Sequence, residues 1–258
     1  MKIFSKLSII ALLAVLLFNG CKKNAINYSD FEYVSPDQAR VKINYNVAFY
    51  NNPATQIKIN GVRVSATIVT TRYPFPGGGF NTGGGNFGDY LPVNPGANEI
   101  SVSIPKRGTN IDSIEVYKTT MNMAAGKHYS LHIADTLERK GLPVEEDVTR
   151  PDSGFVRYRF TNLMANVPAM DLYIGTVKVA ENIPFMGISA PFTLPTSQVN
   201  ISSTWTIRPA GALPTSTALA TYNSASTLLS SRVYTVFATG YAGNTGARLP
   251  YVSFYYVR

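Results

Sequence analysis

The sequence predicts an all-β protein: two tandem antiparallel β-sandwich domains behind a short exported leader. Three observations carry this. First, apolar residues alternate with polar ones. Val41, Ile43, Tyr45 and Val47 are interleaved with Lys42, Asn44 and Asn46, and Val156, Tyr158 and Phe160 with Arg157, Arg159 and Thr161. Period two with one apolar face is the mark of a half-buried strand. Second, the chain repeats itself at a separation above 100 residues, which means whole domains and not solenoid units. Third, 20 glycines and 16 prolines punctuate a chain rich in Tyr, Phe, Val, Ile and Thr. No helical period with caps follows the leader, and short strands joined by turns suggest a sandwich or barrel.

The leader occupies residues 1–20. Lys2 and Lys6 form a basic head, and Leu7 to Phe18 is an apolar run of twelve residues broken only by Ser8. A bilayer-spanning helix needs about 20 apolar residues, so this run suits a signal peptide. It ends in Leu17-Phe18-Asn19-Gly20-Cys21, which resembles a lipobox, with Phe18 where that box prefers Leu. Cys21 is the sole cysteine. No intramolecular disulfide can form, and the thiol is placed for lipid attachment. Two or three acyl chains would anchor the chain stably, at about 0.8 kcal/mol per buried methylene. Residues 21–37 have no clear pattern and read as a lipidated tether.

Without its leader the chain has 238 residues, comfortable for two domains, and its formal charge falls from +8 to +6. The remaining basic residues are scattered, the densest spots being Lys22-Lys23, Lys106-Arg107 and Arg139-Lys140. Nucleic-acid binding would favour a clustered stripe, so no nucleic-acid partner is expected. Neither is a cofactor.

The repeat fixes the domains. Shifted by 115 residues, Val41-Lys42-Ile43-Asn44-Tyr45 lies on Val156-Arg157-Tyr158-Arg159-Phe160, and Ile57 to Val64 lies on Leu172 to Val179. Later the shift is 103, where Leu91-Pro92 meets Leu194-Pro195, and then 105, where Tyr129-Ser130-Leu131 meets Tyr234-Thr235-Val236. The first copy therefore holds about a dozen extra residues between Val64 and Leu91. The expected division is domain 1 over 38–140, a polar linker over 141–153 and domain 2 over 154–258. Asn60-Gly61 between two alternating runs signals a type I′ hairpin. The linker holds Pro143, Glu145-Glu146-Asp147 and Pro151. Its acidic trio, with Asp152, reads as a solvated linker in preference to a calcium site, which needs six to eight oxygens.

The second copy carries Asp171-Leu172-Tyr173-Ile174, Phe192-Thr193-Leu194-Pro195, Ile207-Arg208-Pro209-Ala210-Gly211 and Val233-Tyr234-Thr235-Val236. This order resembles the bacterial domain of unknown function 4397, often found in tandem in exported lipoproteins. The first copy has Ile104-Pro105-Lys106-Arg107 in place of the Arg-Pro-Ala-Gly element. The resemblance implies immunoglobulin-like sandwiches on the cell envelope. It supplies no catalytic residues.

Little in the sequence is suited to catalysis or metal binding. His128 and His132 are four residues apart on one strand, hence about 13 Å apart, too far to share one metal ion. Neither the nucleophile elbow Gly-x-Ser-x-Gly nor a phosphate loop is present; Gly77-Gly78-Gly79 and Gly83-Gly84-Gly85 lack the following Lys-Ser/Thr. No catalytic and no metal site is expected. The candidate ligand or partner loop is the insertion, through Tyr73, Phe75, Phe80, Phe87 and Tyr90, whose aromatics suit stacking on sugars or packing on a protein. Alanine at Phe75, Phe80 and Phe87 is expected to abolish retention and leave thermal stability intact. Three function classes stay open. The first is a non-catalytic binding or adhesion module for a glycan or protein, lipid-anchored at the outer membrane on its periplasmic face or at the cell surface. The second is a structural or assembly subunit of an envelope complex or fimbria, joined through an edge strand such as Tyr251 to Val257. The third, least favoured, is a hydrolase.

Overall fold

Each half of the chain builds two sheets around one apolar cluster. The computed structural model describes residues 34–49, 51–66, 73–80, 88–109, 111–134, 140–197 and 203–258, the backbone alone at Tyr73 and Phe80. Cys21, the leader and nearly all of the tether lie outside the described residues, as does Phe87.

In the first half the strands are β1 (Ala39–Tyr45), β2 (Gln56–Ile59), β3 (Val62–Arg63), β4 (Tyr73–Phe75), β5 (Gly79–Phe80), β6 (Leu91–Val93), β7 (Gly96–Pro105), β8 (Asp112–Met123), β9 (His128–Ile133) and β10 (Gly141–Glu146). One sheet runs β10-β9-β1, with β4 and β6 both paired to β1; the other runs β3-β2-β7-β8. Val41, Ile43 and Tyr45 of β1 meet Ile57, Ile100 and Val102 of the facing sheet, all wholly buried. Full burial of such a side chain stabilises the fold by about 1.5–3 kcal/mol.

The second half repeats the plan with β11 (Phe155–Asn162), β12 (Ala169–Ile174), β13 (Val177–Pro184), β14 (Phe192–Pro195), β15 (Thr204–Pro209), β16 (Ala220–Asn223), β17 (Arg232–Thr239) and β18 (Tyr251–Tyr256). Its sheets run β14-β11-β17-β18 and β13-β12-β15-β16. Strand for strand this is the order of the first half. In both copies the first strand pairs parallel with the penultimate one, β1 with β9 and β11 with β17, while the other pairings are antiparallel. Trp205 closes the second core. Its indole Nε1 donates to Thr227 Oγ1 at 2.9 Å, and its ring lies against Tyr158 and Phe254.

The expected hairpin is present. Asn60 and Gly61 both have positive φ, at 50° and 78°, and Ile59 pairs with Val62 across them. Two other expectations are corrected. Residues 141–146, read as linker, form β10, the last strand of the first sandwich and the counterpart of β18. The polar face of β1 is not solvated: Lys42, Asn44 and Asn46 are at most 1% exposed. The first follows from pairing with β9, and the second from the sheet containing β1 packing against the β11-β17-β18 sheet. A third cluster lies there, with Ala134, Leu163, Phe237 and Tyr255 buried and Phe185, Met186 and Tyr251 packed beside them.

Candidate functional site

The seam between the sandwiches gathers a cluster of buried polar side chains, among them Lys42, Asn44, Asn46, Ser130, His132 and Glu146. Strand pleat decides what enters it. On β1 the alternation that sends Val41, Ile43 and Tyr45 into the core sends Lys42 and Asn44, with Asn46 just past the strand's end, outward, and on β18 the same alternation sends Tyr255 away from Phe254. At the centre the rings of Phe237 and Tyr255 stack 4.1 Å apart. Tyr255 donates its hydroxyl to Asn46 Oδ1 at 2.6 Å, and Thr239 donates to the Asn46 carbonyl at 2.8 Å. Burial raises the Tyr255 hydroxyl well above the usual tyrosine pKa, so it stays a neutral donor.

His132 lies beside Tyr255, ring centres 5.6 Å apart, and its Nδ1 is 3.1 Å from the Asn44 amide nitrogen. An amide nitrogen only donates, so Nδ1 accepts and the ring proton resides on Nε2. That nitrogen is buried without a partner among the described residues. Desolvation, and then the charge of Lys42, lower the His132 pKa to about 3. The histidine stays neutral at physiological pH.

Lys42 crosses the seam. Its ammonium donates to the Tyr256 carbonyl at 2.9 Å and to the Gly78 carbonyl at 3.5 Å, and it sits 4.9 Å from the centre of the Tyr90 ring. Burial brings its pKa down to about 7, against the opposing pull of Asp89 and Glu146. Tyr90 meets the ring of His128 edge-on at 4.9 Å. Ser130 hydrogen-bonds both Tyr90 and Glu146. Desolvation raises the Glu146 carboxyl above its usual pKa, opposed by Ser130, Arg159 and Lys42.

This layer opens into a cleft of about 400 Å³ whose walls include Lys127, His128, Glu146, Asp147, Thr149 and Arg159. Its outer charges are paired already: Lys127 with Glu145 at 2.9 Å and Arg157 with Asp147 at 2.7 Å. Arg157 also donates to the Asp147 and Thr149 carbonyls, both at 2.6 Å, which pins the chain after β10. A second hollow of about 450 Å³ lies in the loop Gly243–Arg248. There the Arg248 guanidinium covers the Tyr241 ring at 3.7 Å.

The aromatic insertion is dispersed by the structure. Tyr73 and Phe75 belong to β4, paired on β1, and Phe75 packs against the first core. Phe80 belongs to β5, which adds to the edge of β18 in the second sandwich. Tyr90 is in the seam, while Phe87 and Cys21 lie outside the described residues. Sequence reasoning missed Lys42, Ser130 and Arg159, and it read Glu146 as part of a solvated linker. One signal was available: the outward positions of β9 and β18 carry Ser130, His132, Ser253 and Tyr255, with none of the Lys or Glu that usually coats a solvated face.

The recurring motif residues of the second copy bond to one another. Asp171, wholly buried, accepts from the backbone of Asn182 at 2.7 Å and of Gly211 at 3.0 Å, and pairs with Lys178 at 2.9 Å. Burial pushes its carboxyl up, but these donors prevail and hold it below the usual range. Arg208 lies over the Tyr173 ring, donates to the Ser216 carbonyl and bonds Thr206. In the first copy Asp112 takes the organising role, bound by Gln56, Ser103 and Lys58. These motif residues build corners of the fold.

A search of curated proteins yields no significant match. The family described as "Domain of unknown function (DUF4397)" matches residues 42–173 and again residues 159–252. These matches span nearly all of both sandwiches, and the chain belongs to the DUF4397 family, which it carries in tandem.

Proposed function

We propose that this chain is a non-catalytic lipoprotein of the cell envelope, held through lipid on Cys21, whose paired sandwiches bind a glycan or protein partner. The leader and the cysteine at its end support the address. The observation that carries the binding role is the polar cleft at the seam, whose walls are held by two charge pairs, Lys127 with Glu145 beside β9 and β10 and Arg157 of β11 with Asp147 just past β10. Preorganised walls lower the entropy lost on binding. The binding surface therefore moves from the insertion, whose Phe75 and Tyr90 are engaged within the fold, to the cleft.

A second reading, an assembly subunit, is favoured by one feature. The edge of β18 accepts a strand, here the chain's own β5, and an assembly partner would use the same strand addition.

Two measurements test the first reading. Radiolabelled palmitate should enter the wild-type chain and not Cys21→Ser; incorporation into both, or neither, contradicts the anchor. Retention of envelope glycans or proteins by the mature chain should fall on Arg159→Ala and persist on substitutions in the Gly243–Arg248 loop. Equal retention by all variants contradicts the cleft.

A further inference from the structure

Resting on that reading, we infer that the cleft between β9, β10 and β11 takes a neutral sugar unit through a pair of adjacent hydroxyl groups. Glu146 lines the cleft yet is 7% exposed, and its Oε1 has no hydrogen-bond partner among the described residues. Such a buried, unmet acceptor is destabilising unless something donates to it. Its neighbours have their own partners. Lys127 is held by Glu145, and Arg157 by Asp147. Among the described residues the hydrogen bond that Arg159 makes is a long one, 3.4 Å from Nη1 to the Glu145 carbonyl, so most of its planar fork remains for a ligand.

The chemistry of these groups selects the ligand. Glu146 titrates upward through desolvation and His128 downward through desolvation, then Arg40 and Arg258. The His128 ring and the Thr149 hydroxyl can each donate or accept, while Glu146 Oε1 is an unmet acceptor. A hydroxyl donates and accepts as well, so it matches them in any protonation state. An ammonium would match only ionised Glu146. Lys127 pairs with Glu145 and Arg157 with Asp147, which leaves an unmet acceptor at Glu146 and a donor fork at Arg159 on the same cleft wall, the complement of two neighbouring hydroxyls of which one donates and the other accepts. A volume near 400 Å³ lies within the range of small-ligand pockets, roughly 300–1,000 Å³. One hydroxyl would donate to Glu146 Oε1, and the neighbouring oxygen would accept from the Arg159 fork, with His128 and Thr149 at the rim.

The test is a titration of the mature chain, followed by NMR, with methyl glucoside, methyl galactoside and methyl mannoside, their deoxy analogues, and a neutral zwitterionic dipeptide. The expected result is saturable binding of at least one glycoside, with shifts confined to Gly126–Arg159. A loss of about tenfold or more is expected with Arg159→Ala and with the analogue lacking one of the paired hydroxyls, which is what one hydrogen bond to a charged group supplies. Melting temperature serves as the control, since Arg159 is only partly buried and its removal should leave the fold intact. No response to any glycoside overturns the inference, as does binding that is indifferent to Arg159→Ala or that prefers the dipeptide. Retention of an envelope protein elsewhere on the chain, with no sugar response, overturns it while leaving the binding-module reading standing.

Discussion

Single residues in the seam set the pH response. Lys42 has a folded pKa near 7 against an ordinary 10.5, so above pH 7 the unfolded chain holds a proton that the folded chain does not. Stability contributed by this group therefore rises between about pH 7 and 10, by up to about 1.4 kcal/mol per pH unit. Lys42→Met should flatten that rise in denaturation midpoints measured across the window; an unchanged slope contradicts the buried position. His132 acts at acid pH. Its folded pKa is about 3 against 6.5 unfolded, so its contribution is lost as pH falls through that interval. His132→Phe should reduce acid sensitivity between pH 6 and 4, and Phe237 shows the fold accepting a phenylalanine at the matching place in the second copy. Glu146 has the opposite sign. Its raised pKa makes it more stabilising below its ordinary value of 4.5 and less so as pH rises through the folded pKa. Glu146→Gln keeps a partner for Ser130 and should raise the melting temperature at pH 7. A fall would show that its charge is compensated.

At the scale of elements, the strands with one apolar face were legible and the strands with two covered faces were not. Period two reports which side chains face a core, and it placed Val41, Tyr158 and their neighbours correctly. It says nothing of what covers the other face, so Lys42, Asn44 and Asn46 read as solvated. β10 was hidden for a related reason. Its seam-facing positions are Leu142, Val144 and Glu146, and a carboxylate in the third slot erases the pattern. Pro143 also suggested a break, yet proline is tolerated on an edge strand. The insertion was located by the change in repeat shift, but its role was not: one aromatic packs on a core and another lies in the seam. Gly88 shows why it docks closely. A Cβ there would lie 2.6 Å from the Val257 carbonyl oxygen. Gly88→Ala should destabilise the chain by about 1–3 kcal/mol through that overlap, read from the denaturant midpoint. Phe75→Ala should likewise lower stability, because the ring packs on the first core; unchanged stability would return Phe75 to the surface.

For the whole molecule, the seam decides whether duplication gives two beads or one body. Residues Ser35–Arg258 form one compact unit. The contacts that join the halves are of several kinds: the ring contact of His132 with Tyr255, the Asn46 bonds, the Lys42 bridge and the β5–β18 pairing. The tandem repeat was readable because apolar positions recur. The union of the copies was not, since it rests on polar residues at positions that periodicity leaves unassigned. Such an interface couples the halves thermodynamically, and removal of the Tyr255 hydroxyl leaves Asn46 Oδ1 buried and unmet, at about 1–3 kcal/mol.

Calorimetry of the mature chain tests that coupling most directly. One heat-absorption peak is predicted, with calorimetric and van't Hoff enthalpies equal, splitting into two when Asn46→Ala and Tyr255→Phe are combined. Two independent peaks in the wild-type chain, with midpoints unmoved by those substitutions, would contradict a joined pair of sandwiches.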